Sequence, residues 1–124
     1  MNWTLRNDRP VYAQLAEKVL QLILDGTYPP ESRLPSVRDF ALMASVNPNT
    51  MQKALSQLEE EGLITTARTA GRFVTTDPDL IARHRALLGK EETDRFLSRM
   101  KDLGFTPREI RTIIEQQPKE EPHE

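Results

Sequence analysis

Within Ala44-Ser45-Val46-Asn47-Pro48 one helical pattern ends and another begins. Before this point Val37, Phe40 and Ala41 recur at the spacing of one helix face, and after it Met51, Ala54, Leu55 and Leu58 do the same. A link this short cannot carry the second helix away from the first, so the pair reads as a helix-turn-helix. Ser36 starts the first of the two, its hydroxyl placed to cap free backbone N–H groups, with Asp39 three residues on. Asn47 caps the second, Pro48 occupies its first turn, and Gly62 ends it.

The flanking segments complete an architecture. Pro10 opens an earlier helix whose apolar face is Tyr12, Leu15, Ala16, Val19, Leu22 and Ile23, stopped by Asp25-Gly26. Trp3 to Leu5 alternate and suit a small edge strand, and TYPPESRLP is a proline-rich connector without periodicity. Leu63, Ile64 and the following threonines read as a strand, Arg72-Phe73-Val74-Thr75 as its partner, and Thr69-Ala70-Gly71 as the hairpin tip. Three helices followed by a hairpin make a winged helix over residues 1–77. The fold class is mainly α with a small β-wing.

After Pro78 the composition shifts. Apolar positions at Leu80, Ile81, Leu88, Phe96, Leu97, Met100 and Leu103 suit one bent helix or two, with Gly89 costing roughly 1 kcal/mol relative to alanine. Thr106-Pro107-Arg108-Glu109 is a capping box that starts a last helix, in which Ile110, Ile113 and Ile114 are apolar; Phe105 lies just before it. These helices are too apolar for a solvated appendage and too thin for a core of their own. Residues 78–117 therefore read as a helical dimerisation element, the alternative being that they fold back on the winged helix. Residues 118–124 read as a charged, disordered tail.

Composition narrows the function. The 124 residues contain no cysteine, which removes disulfides and thiolate metal sites. No apolar run approaches the roughly 20 residues of a membrane span, and MNWTLRNDRP lacks a signal-peptide apolar region, so a soluble, cytoplasmic protein is expected. His84 and His123 are the only histidines, His84 has arginines beside it and no carboxylate at ligand spacing, and no glycine-rich phosphate loop occurs. No enzyme, cofactor or metal is expected. The net charge of −2 is mildly unfavourable for nucleic acid. Between Arg33 and Arg72, however, Arg33, Arg38, Lys53, Arg68 and Arg72 stand apart from the Glu59-Glu60-Glu61 run and permit a basic face.

The segments VYAQLAEKVLQLILDG, RLPSVRDFA, NPNTMQKALSQLEEEGLI and GRFV together resemble the GntR family of bacterial transcription regulators. LPSVR, NPNT and the short C-terminal part are similar to its YtrA-type branch. The resemblance implies a homodimeric, operator-binding regulator, often a repressor of a neighbouring transport operon. The chain departs from the family's pattern in three places. Ser45 stands where the turn usually carries glycine, Pro48 and Gln52 stand where arginines are common, and Thr69 and Ala70 replace a more glycine-rich and basic wing tip.

A helix in the major groove presents its N-terminal residues to base edges. Asn49, Thr50 and Gln52 are candidate readers, since Asn and Gln pair with adenine and threonine meets the thymine methyl. Asn47 is first a helix cap, with a DNA contact as its second role, and Lys53 suits a phosphate. By resemblance Arg38 reaches DNA and reads a guanine. Ser36 and Arg33 are phosphate candidates. In the wing, Arg68, Thr69, Gly71 and Arg72 are candidates for phosphates or the minor groove, while Gly71 also suits a turn that needs positive φ. Expected partners are double-stranded operator DNA, a second copy of the chain and a possible small-molecule effector. For Phe96, Met100 and Phe105 a core role outweighs lining an effector groove. The competing function is a winged-helix adaptor that binds protein without specific DNA binding.

Overall fold

The structure, a computed structural model, describes residues 3–119. The chain divides into two compact units, one running to Arg85 and one beginning at Ala86.

The first unit contains α1 (Val11–Leu24), α2 (Val37–Ala44), α3 (Pro48–Glu60), β1 (Ile64–Ala67), β2 (Gly71–Val74) and the start of α4 (Pro78–Asp102). Helix α3 packs against α1, α2 and β1. Its buried side chains Met51, Ala54, Leu55 and Leu58 meet Leu15, Val19 and Ile23 of α1 and Phe40 and Ala41 of α2 in one core. Burying a side chain of this size stabilises by about 1.5–3 kcal/mol. Phe40 is fully buried, with Trp3 and Tyr28 edge-on at ring-centroid separations of 6.1 and 5.9 Å. Burial raises the Tyr28 phenol above its ordinary value.

Trp3 to Leu5 form no strand; Trp3 and Leu5 pack on the core instead. The outer edge of β2 is taken by the proline-rich connector. Arg33 bridges Phe73, the Leu34 N–H donates to the Arg72 carbonyl at 2.9 Å, and the Val74 N–H donates to the Ser32 carbonyl at 2.9 Å. The hairpin pairs Ile64 with Val74 and Ala67 with Gly71. The Ala70 N–H donates to the Ala67 carbonyl at 3.1 Å, and Gly71 follows at φ +99°. The turn thus spans Arg68 to Ala70, and the glycine supplies the positive φ with which β2 begins.

Helix α4 is a single helix that runs through Gly89, which meets nothing within 4 Å on its Cβ side. Leu80 and Ile81, read from sequence as dimer-interface residues, are half-buried against the core of the first unit. In the second unit α5 (Pro107–Glu115) begins with the expected capping box: Thr106 Oγ1 accepts from the Glu109 N–H at 3.2 Å, and Glu109 Oε1 accepts from the Thr106 N–H at 3.0 Å. Ile110 is buried; Leu88, Met100, Phe105 and Ile113 are half-buried. Leu87, Phe96, Leu97, Leu103 and Ile114 are exposed. Residues 118 and 119 have no regular structure, and the rest of the expected tail lies outside the described residues.

Candidate nucleic-acid interface

Helix α3 is oriented by what it buries. With Met51, Ala54, Leu55 and Leu58 turned into the core, Asn49, Gln52 and Lys53 are left exposed and Thr50 half-buried. Asn47 caps the helix, its Oδ1 accepting from the Asn49 N–H at 2.8 Å, and Pro48 sits in the first turn. Gln52 Nε2 donates to Ser56 Oγ at 3.3 Å, one turn along. The Lys53 ammonium lies over the Tyr12 ring of α1, 3.9 Å from its centroid. Tyr12 therefore holds a candidate site residue, whereas its sequence position indicated only an apolar face.

Ser36 caps α2 through its Oγ, which accepts from the Asp39 N–H at 3.1 Å. The helix ends at Ser45, which adopts φ 56° and ψ 48°. The residue in the family's glycine position thus takes the left-handed conformation glycine would take, and as a non-glycine residue it carries strain. Arg38 is exposed, and among the described residues it has no ion pair, so the expected competitors Asp39 and Glu31 do not engage it.

The start of α2 and the first residues of β2 meet in one crevice of about 270 Å³. Arg33, Ser36, Asp39, Gly71 and Arg72 contribute its polar lining. The Arg33 guanidinium lies so close to Gly71 that a Cβ there would stand 3.3 Å from Arg33 Nε. Glycine at 71 thus serves both the positive φ and this approach. Arg68 and Thr69 are exposed at the wing tip.

Arg72 is differently placed from the other cations. Its Nε donates to Glu59 Oε1 of α3 at 2.6 Å, and its side chain is only 18% exposed. The same Glu59 oxygen accepts from Thr66 Oγ1 of β1 at 2.8 Å. Burial pushes the Glu59 carboxyl up, but the bonds from Arg72 and Thr66, with the Arg72 charge, outweigh it and hold the group below the ordinary glutamate range. The sequence offered no signal for this pair, since Glu59 stands in a run of acids that reads as solvated.

Among the described residues no cluster of three or more His, Asp or Glu side chains could hold a metal ion, and no helix is long and apolar enough to cross a membrane.

Residues 11–74 match the family described as bacterial regulatory proteins, gntR family. The HTH-type transcriptional repressor YtrA of Bacillus subtilis (strain 168) is 40% identical over 70 residues, covering 56% of this chain and 54% of that protein. A solved GntR family transcriptional regulator from Listeria monocytogenes superposes with a TM-score of 0.86 at 32% identity, covering 92% of this chain and 100% of that one. The DNA-binding domain of AraR, solved in complex with operator ORX1, superposes with a TM-score of 0.55 at 25% identity, covering 58% of this chain and 93% of that one.

Proposed function

The chain belongs to the gntR family of bacterial regulatory proteins, in its YtrA-type branch, and from that premise we propose that it is a homodimeric repressor that binds an inverted-repeat DNA operator. The observation that carries this reading is the first turn and a half of α3. Its apolar face is locked in the core, and the amides and hydroxyl of Asn49, Thr50 and Gln52 stand on the other side, Gln52 donating to Ser56 one turn along. Such groups read adenine and thymine edges in the major groove.

Arg38 supplies a fork of donors suited to guanine, and Arg33, Ser36, Asn47 and Lys53 suit phosphates around the reading helix. Arg68 and Thr69 at the wing tip suit the neighbouring minor groove or backbone. A second copy completes the operator-binding form. The exposed Leu87, Phe96, Leu97, Leu103 and Ile114 support this, because unpaired apolar side chains on helices too thin for a core are commonly covered by a symmetric partner. Leu80 and Ile81 already serve the first unit's core, so the dimer surface begins beyond them. Operator DNA as partner is supported by the relative solved with its operator.

One observation favours the adaptor reading. Leu42 is 73% and Met43 45% exposed on α2, the kind of apolar surface a protein partner would cover. The deciding experiment is retention of random duplexes by the full chain at about physiological salt, followed by sequencing. An enriched inverted repeat is expected. Weak retention without enrichment, abolished by modest salt, would favour the adaptor.

A further inference from the structure

Glu59 stands two turns along α3 from Gln52, with Ser56 between them. At 3.6 residues per turn, positions seven apart lie on the same helix face, roughly 10 Å apart along the axis. Gln52 donates to Ser56 on this face, and Glu59 receives the wing there, from Arg72 of β2 and Thr66 of β1. The face that presents the reading amide therefore also seats the hairpin.

A carboxylate in the last turn of α3 is poorly placed by itself, since the carbonyl ends of a helix repel negative charge. Glu59, Glu60 and Glu61 all stand there, and among the described residues Glu59 is the one of the three in an ion pair. Arg72 is fixed from a second direction, because its carbonyl accepts from the Leu34 N–H just before α2. It cannot lie on a phosphate through Nε without giving up Glu59.

We propose that Glu59 is a positioning residue for DNA binding: through Arg72 and Thr66 it fixes the wing relative to Gln52, and Arg72 acts through this clasp, not as a phosphate contact. The inference rests on the DNA-binding reading above and assigns Arg72 a different role from the one its charge suggests.

The consequence runs against simple electrostatics. Removing an acid near a DNA-binding surface ordinarily tightens binding to every duplex. The clasp requires the reverse for a specific site. The test compares wild type, Glu59→Ala, Glu59→Gln, Arg72→Ala and the Glu59→Ala/Arg72→Ala double variant in the full chain. The probes are the duplex enriched from the random pool and an unrelated duplex of equal length, each titrated against salt. Glu59→Ala should weaken the enriched duplex about tenfold, with the unrelated duplex within about twofold. Glu59→Gln, whose amide oxygen still accepts both bonds, should recover most of the loss. Arg72→Ala should match Glu59→Ala and leave the salt slope unchanged, and the double variant should be no worse than either single one.

A salt slope lower by about 0.9 in Arg72→Ala on both duplexes would mark a phosphate contact and overturn the inference. So would unchanged or tighter binding of the enriched duplex by Glu59→Ala. If Glu59→Ala does not fold, as judged by thermal melting, Glu59→Gln and Arg72→Ala decide: a recovered Gln variant beside an Arg72→Ala loss at constant slope supports the clasp, and any other pattern overturns it. Wild type that retains no duplex at any salt defeats the DNA-binding reading itself, and the inference falls with it.

Discussion

The Lys53 ammonium rests 3.9 Å from the centre of the Tyr12 ring, so a cation in the first half of α3 is held by an aromatic on α1. A cation over a ring at a partly exposed site is worth about 0.5–1 kcal/mol. Tyr12→Phe keeps the ring and should leave DNA affinity within about twofold. Tyr12→Leu should free Lys53 and weaken all duplexes alike by several-fold. Lys53→Ala should lower the salt slope by about 0.9. Affinity titrations over a range of salt check the set, and a Tyr12→Leu loss confined to one sequence would refute it.

On the DNA-binding reading proposed above, Gln52 is an exposed amide of α3 that distinguishes one base pair from another. Gln52→Ala should cost roughly 1–3 kcal/mol on the preferred base pair and little on its replacements. Titrations on single-base operator variants read this directly. Equal losses on every duplex would assign Gln52 to the backbone.

Ser45 holds a left-handed conformation in the turn between α2 and α3, at φ 56°. For a residue with a Cβ this costs roughly 1–2 kcal/mol, partly offset in glycine by its looser unfolded chain. Ser45→Gly should therefore stabilise the protein by about 0.5–1 kcal/mol, and Ser45→Val should destabilise it. Urea melts of both variants measure the change. A less stable Ser45→Gly would mean that the hydroxyl contributes more than the strain costs.

The Glu59 carboxyl is held below its ordinary range by its bonds to Arg72 and Thr66, despite the opposing effect of burial. A group whose value is lower in the folded than in the unfolded chain adds stability that is fully present above the unfolded value. That stability is lost as pH falls through the folded value. Glu59→Gln cannot titrate. The stability gap between wild type and Glu59→Gln should therefore be widest at neutral pH and narrow as the solution is taken below the carboxylate range. Denaturant melts at the two ends of that span decide it, and a constant gap would show that the carboxylate charge contributes nothing.

Local signals made much of the fold legible in the sequence. Ser36, Asn47 and Thr106 act within three residues of themselves, and each is the cap its spacing indicated. The winged-helix architecture followed from the short link at Ser45 and the hairpin tip at Gly71. Trp3 to Leu5 misled because alternation over three residues cannot separate a strand from an extended arm lying on a core. Gly89 left α4 undecided because one glycine weakens a helix by only about 1 kcal/mol. The contacts of Lys53 with Tyr12 and of Arg72 with Glu59 were out of reach. Each joins residues of different elements, and no pattern along one element records where another will lie. Exposure likewise separated Arg38, without an ion pair among the described residues, from Arg72, which charge alone had grouped together.

On the far side of β2 the Ser32 carbonyl accepts from the Val74 N–H and the Leu34 N–H donates to the Arg72 carbonyl. A bare two-stranded ribbon is marginal in water, and its unpaired backbone can template another chain. Here β2 has β1 on one side and the connector on the other, so a passing strand finds no free ladder along β2. The proline-rich segment that looked like mere tether also guards the β2 edge of the wing against pairing with another chain.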